Sequence, residues 1–174
     1  MTDLVTGPAP TTAPAFLADT RVQRAIQLVW HEAALLDAKD YEVWAELYTD
    51  DALYVVPIER DTDDFAGSLN MIYDDKRMRR MRVARMVEGY SLSAVDAART
   101  VRTVSRFTVT SVSDTEVRLR SAQVLVSFKR DEHAVLGAEL DHVVVLSDDG
   151  DRIGGKVIRL LNSDAAVNAS GFLL

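Results

Sequence analysis

The side chains best suited to metal binding or proton transfer are three histidines, His31, His133 and His142. His31 and Glu32 begin like the His-Glu pair of a zinc-binding helix, but Leu35 stands where that motif needs its second histidine. Asp141 and His142 are neighbours in a strand-like segment, so their side chains point to opposite faces and cannot bind one ion together. An iron site of two histidines and a carboxylate would need His31 to meet His142, which the spacing does not indicate. No metal is expected in this chain.

Aromatic and acidic residues in the first third of the chain, together with one histidine, could form a ligand pocket. The candidates for its walls, acid and base are Tyr41, Trp44, Tyr48, Asp51, Tyr54 and His142. A curled sheet closed by helices could hold a small ligand there and support acid–base chemistry. The competing interpretation, favoured by the helical spacing of Tyr41, Trp44 and Tyr48, is that the aromatics pack the core. Trp44 is then expected to anchor the second helix to the sheet.

Six cationic residues fall within the ten positions from Lys76 to Arg85. At helical spacing they surround most of a helix, so some must face carboxylates of the same chain rather than solvent. Intramolecular ion pairs are the simpler interpretation, with Arg79 expected to be exposed. The alternative is that part of this basic surface docks an acidic partner. An RNA-binding helix is disfavoured, because the net charge is −7 and no aromatics are interleaved.

The composition indicates one folded domain. With 174 residues, 48% of them hydrophobic, the chain can bury a single core, assigned to residues 21–174. Residues 1–20 hold three of the four prolines and are expected to form a mobile arm. The absence of cysteine excludes disulfides and iron–sulfur ligation by this chain, and the negative charge disfavours nucleic acid and anionic membranes as partners. Lacking a membrane span or a signal peptide pattern, the chain is expected to be cytoplasmic.

Three helices are predicted before the sheet. Apolar residues recur at helical spacing from Arg21 to Leu36, and Tyr41–Tyr48 has the pattern of a second, shorter helix. A third helix is predicted from Lys76 to Val87. Asp74 and Asp75 are its N-cap candidates, because carboxylates are favoured at the positive end of a helix.

Beyond the third helix the sequence is rich in β-branched residues separated by turn signals. One predicted strand, Leu53–Pro57, precedes the third helix, and four follow it: Val101–Val112, Glu116–Phe128, Ala134–Leu146 and Arg152–Leu161. The last four should form an antiparallel meander. A change in alternation predicts a β-bulge near Ser121 and Ala122, and Gly154-Gly155 indicates another. Helices on the concave face of such a curled sheet would make a cone-shaped α+β fold.

Five weak motifs follow one another at regular spacing. They are Glu32-Ala33-Ala34-Leu35-Leu36-Asp37 with Tyr41 and Trp44, Asp50-Asp51 before Tyr54–Pro57, Tyr73-Asp74-Asp75 before Arg82-Val83-Ala84-Arg85, Arg99-Thr100-Val101-Arg102, and Lys156–Leu161. In this order they resemble the small (beta) subunits of bacterial aromatic-ring-hydroxylating dioxygenases. The resemblance covers nearly everything from Val22 to Ser163.

The resemblance implies a nuclear-transport-factor-like (cystatin-like) cone with about three N-terminal helices. It also implies a large (alpha) subunit as partner, which would carry the Rieske [2Fe–2S] cluster and the mononuclear iron. The small subunit would bind neither, would itself be non-catalytic, and would self-associate as a trimer within a heterohexamer of three large and three small subunits. The residues that carry the match, and thus the candidates for subunit contacts, are Tyr73, Asp74, Asp75, Arg82, Arg85, Arg99 and Arg102.

Two other classes of function stay open from the residues alone. The first is a stand-alone cavity enzyme of the same fold, resembling isomerases, polyketide cyclases or dehydratases. The second is a binding module for a small acidic or aromatic ligand. Because a fold does not determine a function, the site must discriminate between these classes. The Tyr73-Asp74-Asp75 motif and the arginine helix favour the subunit, since they have no role in a cavity enzyme.

Overall fold

The computed structural model describes residues 18–87, 98–163 and 172–174. The predicted N-terminal arm therefore lies largely outside the described residues. The helices are α1 (Thr20–Ala38), α2 (Tyr41–Glu46) and α3 (Lys76–Val87). The strands are β1 (Tyr48–Pro57), β2 (Asn70–Asp74), β3 (Arg99–Val112), β4 (Glu116–Lys129), β5 (Glu132–Val145) and β6 (Arg152–Leu160). No helix among these residues is long and apolar enough to cross a membrane.

Helix α1 has a defined start, a buried face and a defined end. The Asp19 carboxylate caps its first turn by accepting a hydrogen bond from the Arg21 backbone N–H at 2.9 Å. Val22, Val29 and Leu36 are at most 1% exposed and lie seven residues apart, which places them on one face of the helix. Lys39 adopts a left-handed conformation (φ 65°) and terminates the helix.

The second predicted helix is shorter than expected. Helix α2 ends at Glu46, and Tyr48 already belongs to β1, which begins five residues before the predicted start at Leu53. The spacing of Tyr41, Trp44 and Tyr48 thus predicted a helical position for Tyr48, which lies in a strand instead. Tyr48 is nevertheless buried, because both the helix and the strand direct these aromatic side chains into the same core.

Within the described part of the chain, the sheet contains six strands in the order β2-β1-β6-β5-β4-β3. The meander from β3 to β6 is antiparallel, as predicted, and β1 pairs with β6 in parallel. Strand β2 was missed by the sequence analysis; it is five residues long and forms the edge beside β1. Helices on one face of this curled sheet confirm the predicted α+β cone.

Both predicted positions have a β-bulge, but the bulge near Ser121 lies on the neighbouring strand. Strand β6 has an extra residue at Gly154, because Val143 pairs with Gly155 whereas Val144 pairs with Ile153. Strand β4 pairs with β5 without interruption, so there is no bulge in it at Ser121. The extra residue lies on the partner strand β3, where Arg106 and Phe107 stand opposite Ser121 and Arg106 adopts a positive φ of 56°. Bulges of this kind bend a sheet and increase its twist.

Polar residues explain the wrong assignment in β4. The side chains of Ser121, Gln123 and Ser127 are buried and keep the inward alternation, whereas Val124 and Val126 point outward and are 48% and 39% exposed. If only apolar residues are taken as inward-facing, the sequence predicts that the buried side of the strand switches near Ser121, although the strand is regular.

The main core lies between α1, α2 and the sheet. Its largest fully buried side chains include Trp44, Tyr54, Leu125, Leu140 and Ile158. A second, smaller cluster joins the first half of α1 to β4 and β5 through Val22, Ile26 and Val117 among others.

Candidate functional site

A buried ion pair lies at the centre of the cone. Glu32 on α1 and Lys156 on β6 are 1% and 2% exposed, and the Lys156 Nζ lies 3.0 and 2.9 Å from the two Glu32 carboxylate oxygens. The Glu32 Oε1 also accepts hydrogen bonds from the Trp44 Nε1 at 3.1 Å and the Tyr48 hydroxyl at 2.6 Å. The carboxylate is thus fully partnered, as a buried charge must be.

Burial and the partner charges shift the pKa values of Glu32 and Lys156 in opposite directions. Burial raises the pKa of Glu32, but the Lys156 charge and the Tyr48 hydrogen bond outweigh it and lower that pKa below its ordinary value. Burial lowers the pKa of Lys156, and the Glu32 carboxylate only partly offsets this effect. Burial also raises the pKa of the Tyr48 hydroxyl, so it remains a hydrogen-bond donor to Glu32.

His142 lies beside the ion pair and is not a base at neutral pH. Burial and the nearby Lys156 charge lower its pKa to about 3, so the imidazole is neutral. Its Nε2 is 2.9 Å from the Ser121 hydroxyl, while the Nδ1 has no hydrogen-bond partner among the described residues. A neutral ring held by a serine packs the interior and is a poor proton acceptor.

The three central aromatic rings pack against one another. Trp44, Tyr48 and Tyr54 make edge-to-face contacts with ring centroids 5.2–6.2 Å apart. The structure therefore places Trp44 in the core, together with Tyr48, Tyr54 and His142. It does not bring Asp51 to this group. Asp51 is exposed in β1 and accepts a hydrogen bond from the Thr49 hydroxyl at 2.8 Å.

Glu32 and Lys156 were not recognised as a site from the sequence, although a signal was present. Glu32 lies on the apolar face of α1, three residues after Val29 and four before Leu36. Lys156 alternates in phase with the buried Ile158 in β6. A lone acid and a lone base at core positions of two elements would have indicated a buried pair.

In the Tyr73-Asp74-Asp75 motif, Asp74 is buried whereas Tyr73 and Asp75 are exposed. Asp74 is 1% exposed and binds Arg82 through two hydrogen bonds, with Nε–Oδ2 at 2.5 Å and Nη2–Oδ1 at 2.9 Å. The hydrogen bond to Asp74 raises the pKa of Arg82. Asp75 caps α3 by accepting from the Met78 backbone N–H at 2.8 Å, whereas Asp74 does not serve as the predicted cap. Tyr73 is 40% exposed.

The expectation that Arg79 is exposed is wrong. Its side chain is 2% exposed, lies 4.8 Å over the Tyr48 ring, and donates hydrogen bonds to the backbone carbonyls of Ala52 and Thr49. Arg79 faces β1, where these strand carbonyls supply acceptors for the guanidinium. Arg85, in the last turn of the same helix, is exposed. Arg79 thus stabilises the α3–β1 contact, and Arg85 belongs to the surface.

The two arginines of the β3 motif also differ. Arg99 is exposed and lies 5.1 Å over the Phe128 ring. The Arg102 side chain is fully buried and forms an ion pair with Asp37, which also accepts from the Arg102 backbone N–H at 2.8 Å. The Thr100 hydroxyl donates to the same carboxylate at 2.7 Å. Asp37, the last residue of the first motif, is therefore held to β3.

The histidines do not form a metal site with one another. His31 and His133 are exposed on α1 and β5, whereas His142 is buried. Within residues 18–87, 98–163 and 172–174, no three His, Cys, Asp or Glu side chains are grouped so that they could hold an ion. The described residues thus supply no ligand set for a metal.

A curled sheet closed by helices over a packed interior defines a nuclear-transport-factor-like α+β domain. Residues 31–165 match the sequence model of the ring hydroxylating beta subunit family, and the chain belongs to that family. The small oxygenase component of the p-cumate 2,3-dioxygenase system of Pseudomonas putida is 31% identical over 118 residues. That match covers 66% of this chain and 63% of the relative, which is less than two thirds of the relative's length.

Solved structures share the fold, among them two dioxygenase chains. The beta subunit of the benzoate 1,2-dioxygenase from Burkholderia mallei matches with a TM-score of 0.70 and 22% identity, covering 84% of this chain and 93% of that one. A chain of naphthalene 1,2-dioxygenase with indole bound in its active site matches with a TM-score of 0.75 and 16% identity. That match covers 90% of this chain and 87% of the naphthalene dioxygenase chain. At these identities the likeness establishes the architecture.

Proposed function

We propose that this chain is the structural subunit of an aromatic-ring dioxygenase and supports a separate large subunit that performs the oxidation. The observation that carries the proposal is that the acid and base candidates inside the cone already bind neighbouring side chains of the same chain. The Glu32 carboxylate is bound by Lys156, Trp44 and Tyr48, and His142 is neutral and bound to Ser121. Groups engaged in this way stabilise a core, whereas an acid–base enzyme needs such groups free to meet a ligand.

The expected partner is a large (alpha) subunit that carries a Rieske [2Fe–2S] cluster and a mononuclear iron. Support comes from family membership and from the relative in Pseudomonas putida, which is the small oxygenase component of a dioxygenase system. We propose that three copies of each subunit form a cytoplasmic heterohexamer. In that assembly this chain would contact both the large subunit and its own copies.

The outer side of α3 is the first proposed contact surface. Together with the adjoining end of β2 it presents Tyr73, Asp75 and Arg85 to solvent, and the largely buried Asp74–Arg82 pair joins β2 to the helix. The Asp74–Arg82 pair fixes α3 relative to β2, so the exposed Arg85 lies on a helix that is held rigidly. Arginine forks of this kind bind carboxylates and backbone carbonyls of a partner effectively.

The outward face of the sheet is the second proposed contact surface. Exposed apolar side chains occupy adjacent positions on β3, β4 and β5 and just beyond β6: Val101, Val124, Val126, Val135 and Leu161. Val126 pairs with both Val101 and Val135, so these three form a continuous row across the strands. A contiguous exposed apolar patch on a folded domain is typical of an interface.

Co-purification tests the proposed function. The chain would be expressed alone and together with a large (alpha) dioxygenase subunit of the same organism, with a tag on the large subunit. We expect a stable complex of the two chains, and ring oxidation only when the large subunit and an electron donor are both present. Arg85→Ala should weaken the complex, whereas Arg24→Ala on α1 is the control on a remote surface. Turnover of a substrate by this chain alone, or full activity of the large subunit without it, would contradict the proposal.

A further inference from the structure

Three residues far along the chain complete the core. Phe172, Leu173 and Leu174 are 8%, 3% and 6% exposed and belong to the same cluster as Trp44 and Tyr54. Two of their backbone carbonyls accept hydrogen bonds from buried side chains. The Tyr54 hydroxyl donates to the Leu174 carbonyl oxygen at 2.5 Å, and the Arg102 Nη2 donates to the Leu173 carbonyl oxygen. The segment is therefore held by its backbone as well as by its apolar side chains.

The two donors are held in place by the rest of the domain. Asp37 fixes Arg102 through its backbone N–H and its guanidinium, and Thr100 holds Asp37 in turn. Tyr54 is fixed by ring contacts with Trp44 at 5.5 Å and Tyr48 at 6.2 Å. None of these contacts involves Phe172–Leu174. Donors oriented independently of what they bind are the mark of a preorganised binding site.

The same region has unused hydrogen-bonding capacity. The Tyr41 hydroxyl and the Arg102 Nε are buried and have no hydrogen-bond partner among the described residues. The charges of Arg102 and Asp37 both act on the Tyr41 hydroxyl, although burial is the main reason that its pKa is raised. Buried polar atoms in proteins are usually paired, so these two donors are exceptions that the docked Phe172–Leu174 segment does not satisfy.

We propose that Asp37, Tyr41, Tyr54, Thr100 and Arg102 form a peptide-binding site, here termed the Arg102 site, whose ligand is the chain's own Phe172–Leu174 segment. The ligand class is a short apolar peptide. Its side chains enter the core, and two successive carbonyl oxygens accept hydrogen bonds from Arg102 and Tyr54. This proposal concerns the interior of the chain and is independent of the proposed assembly role.

Removal of the segment and its return as a separate peptide test the site. A variant lacking residues 172–174 should melt on the order of 10 °C lower, because it loses the burial of three large apolar side chains. A labelled peptide of residues 168–174 should bind this variant in fluorescence anisotropy and raise its melting temperature. It should not bind the intact chain, in which the site is already filled. A shortened variant with unchanged melting temperature and no peptide binding would overturn the proposal.

Substitutions separate specific binding from non-specific contact with exposed core. In the shortened variant, Tyr54→Phe keeps the ring but removes one donor, so peptide affinity should fall about tenfold. Leu161→Ala is the control, because Leu161 is 60% exposed and lies over Gly137 rather than at the Arg102 site. Equal peptide affinity in the Tyr54→Phe variant and its parent would contradict the role of the Tyr54 donor.

A measurement on the intact chain covers the case in which the shortened variant does not fold. Carboxypeptidase should release leucine from the folded 174-residue chain much more slowly than from the free peptide, because docked carbonyls resist cleavage. Tyr54→Phe should accelerate the release about tenfold, and Leu161→Ala should leave it unchanged. Release from the folded chain at the rate of the free peptide would show that the segment is not docked.

Discussion

At the scale of single residues, a carboxylate removed from water needs a partner for each of its lone pairs. Glu32 obtains its partners from three elements: Trp44 of α2, Tyr48 of β1 and Lys156 of β6. One side chain of α1 is thereby fixed against parts of the chain that are up to 124 residues away in sequence. Such a pair specifies how the elements meet, because any other packing would leave a charge unpaired.

Breaking the Glu32–Lys156 pair should be costly. Glu32→Gln keeps the shape but leaves the Lys156 ammonium without a counter-charge, so the free energy of unfolding should fall by about 3–5 kcal/mol. The double variant Glu32→Gln with Lys156→Met should regain most of that loss, since neither charge of the pair is then buried and the glutamine amide oxygen still accepts from Trp44 and Tyr48. Urea unfolding followed by circular dichroism measures both. A loss below about 1 kcal/mol for the single variant would show that the pair is not effectively buried.

His142 should make stability depend on pH in mild acid. Its folded-state pKa is about 3 against an ordinary value of 6.5, so between these values the unfolded chain binds a proton that the folded chain does not. Stability should therefore fall as the pH decreases from about 6.5 towards 3, by up to about 1.4 kcal/mol per pH unit. Glu32, whose pKa is lowered, adds a loss in the same direction below its ordinary value of 4.5.

Replacement of His142 isolates this contribution. Between pH 6.5 and 5, the free energy of unfolding of His142→Gln should fall less steeply with decreasing pH than that of the parent chain. The difference in slope should correspond to the uptake of about one proton on unfolding. Leu69→Gln is the control, because Leu69 is 79% exposed and carries no titratable group, so the slope should not change. Identical slopes for His142→Gln and the parent chain would mean that His142 titrates normally in the folded state.

The two tryptophans should differ strongly in their effect on stability. Trp44 is completely buried, so Trp44→Ala should lower the free energy of unfolding by about 3–5 kcal/mol. Trp30 is 53% exposed, with its Nε1 donating to the Val104 carbonyl at 3.1 Å, and Trp30→Ala should cost about 1 kcal/mol. Denaturant midpoints compare the two directly. A stable Trp44→Ala protein with altered ligand binding would favour the cavity-enzyme alternative.

At the scale of elements, α3 shows what a sequence pattern can and cannot determine. Its span and its capping by Asp75 were predictable, because caps and helix ends depend on neighbouring residues. The burial of Arg79 was not, since cations surround the helix and no apolar stripe marks the inner face. The acceptors that decide the orientation are carbonyls of β1, about 30 positions earlier.

The adjacent aspartates of α3 should have different roles. Asp74→Ala leaves the half-buried Arg82 guanidinium unpaired and should lower the free energy of unfolding by about 2–3 kcal/mol. Asp75→Ala removes only the N-cap and should cost about 1 kcal/mol. Thermal unfolding of the two variants measures the difference. Equal effects would indicate that the Asp74–Arg82 pair contributes no more than a cap.

At the scale of the whole molecule, the alternation of β3 to β6 and the order of helices before strands were enough to predict the α+β cone. The interior of the cone was harder to predict. Ser121, Gln123 and Lys156 point inward in strands whose apolar pattern alone would place valines there. For Ser121 and Lys156 the inward direction is explained by the long-range partners His142 and Glu32, and such partners are invisible to periodicity.

The valines displaced outward by this arrangement give the last prediction. Val126 is 39% exposed at the centre of the row with Val101 and Val135, so Val126→Glu changes little inside the monomer. We expect its free energy of unfolding to change by no more than about 1 kcal/mol, whereas assembly should weaken at least tenfold because a charge would be buried at the interface. Val43→Glu, at a 53% exposed valine on α2, is the matched control and should leave assembly intact. Light scattering of the purified complex measures both variants, and normal assembly of Val126→Glu would show that this face of the sheet remains open to solvent.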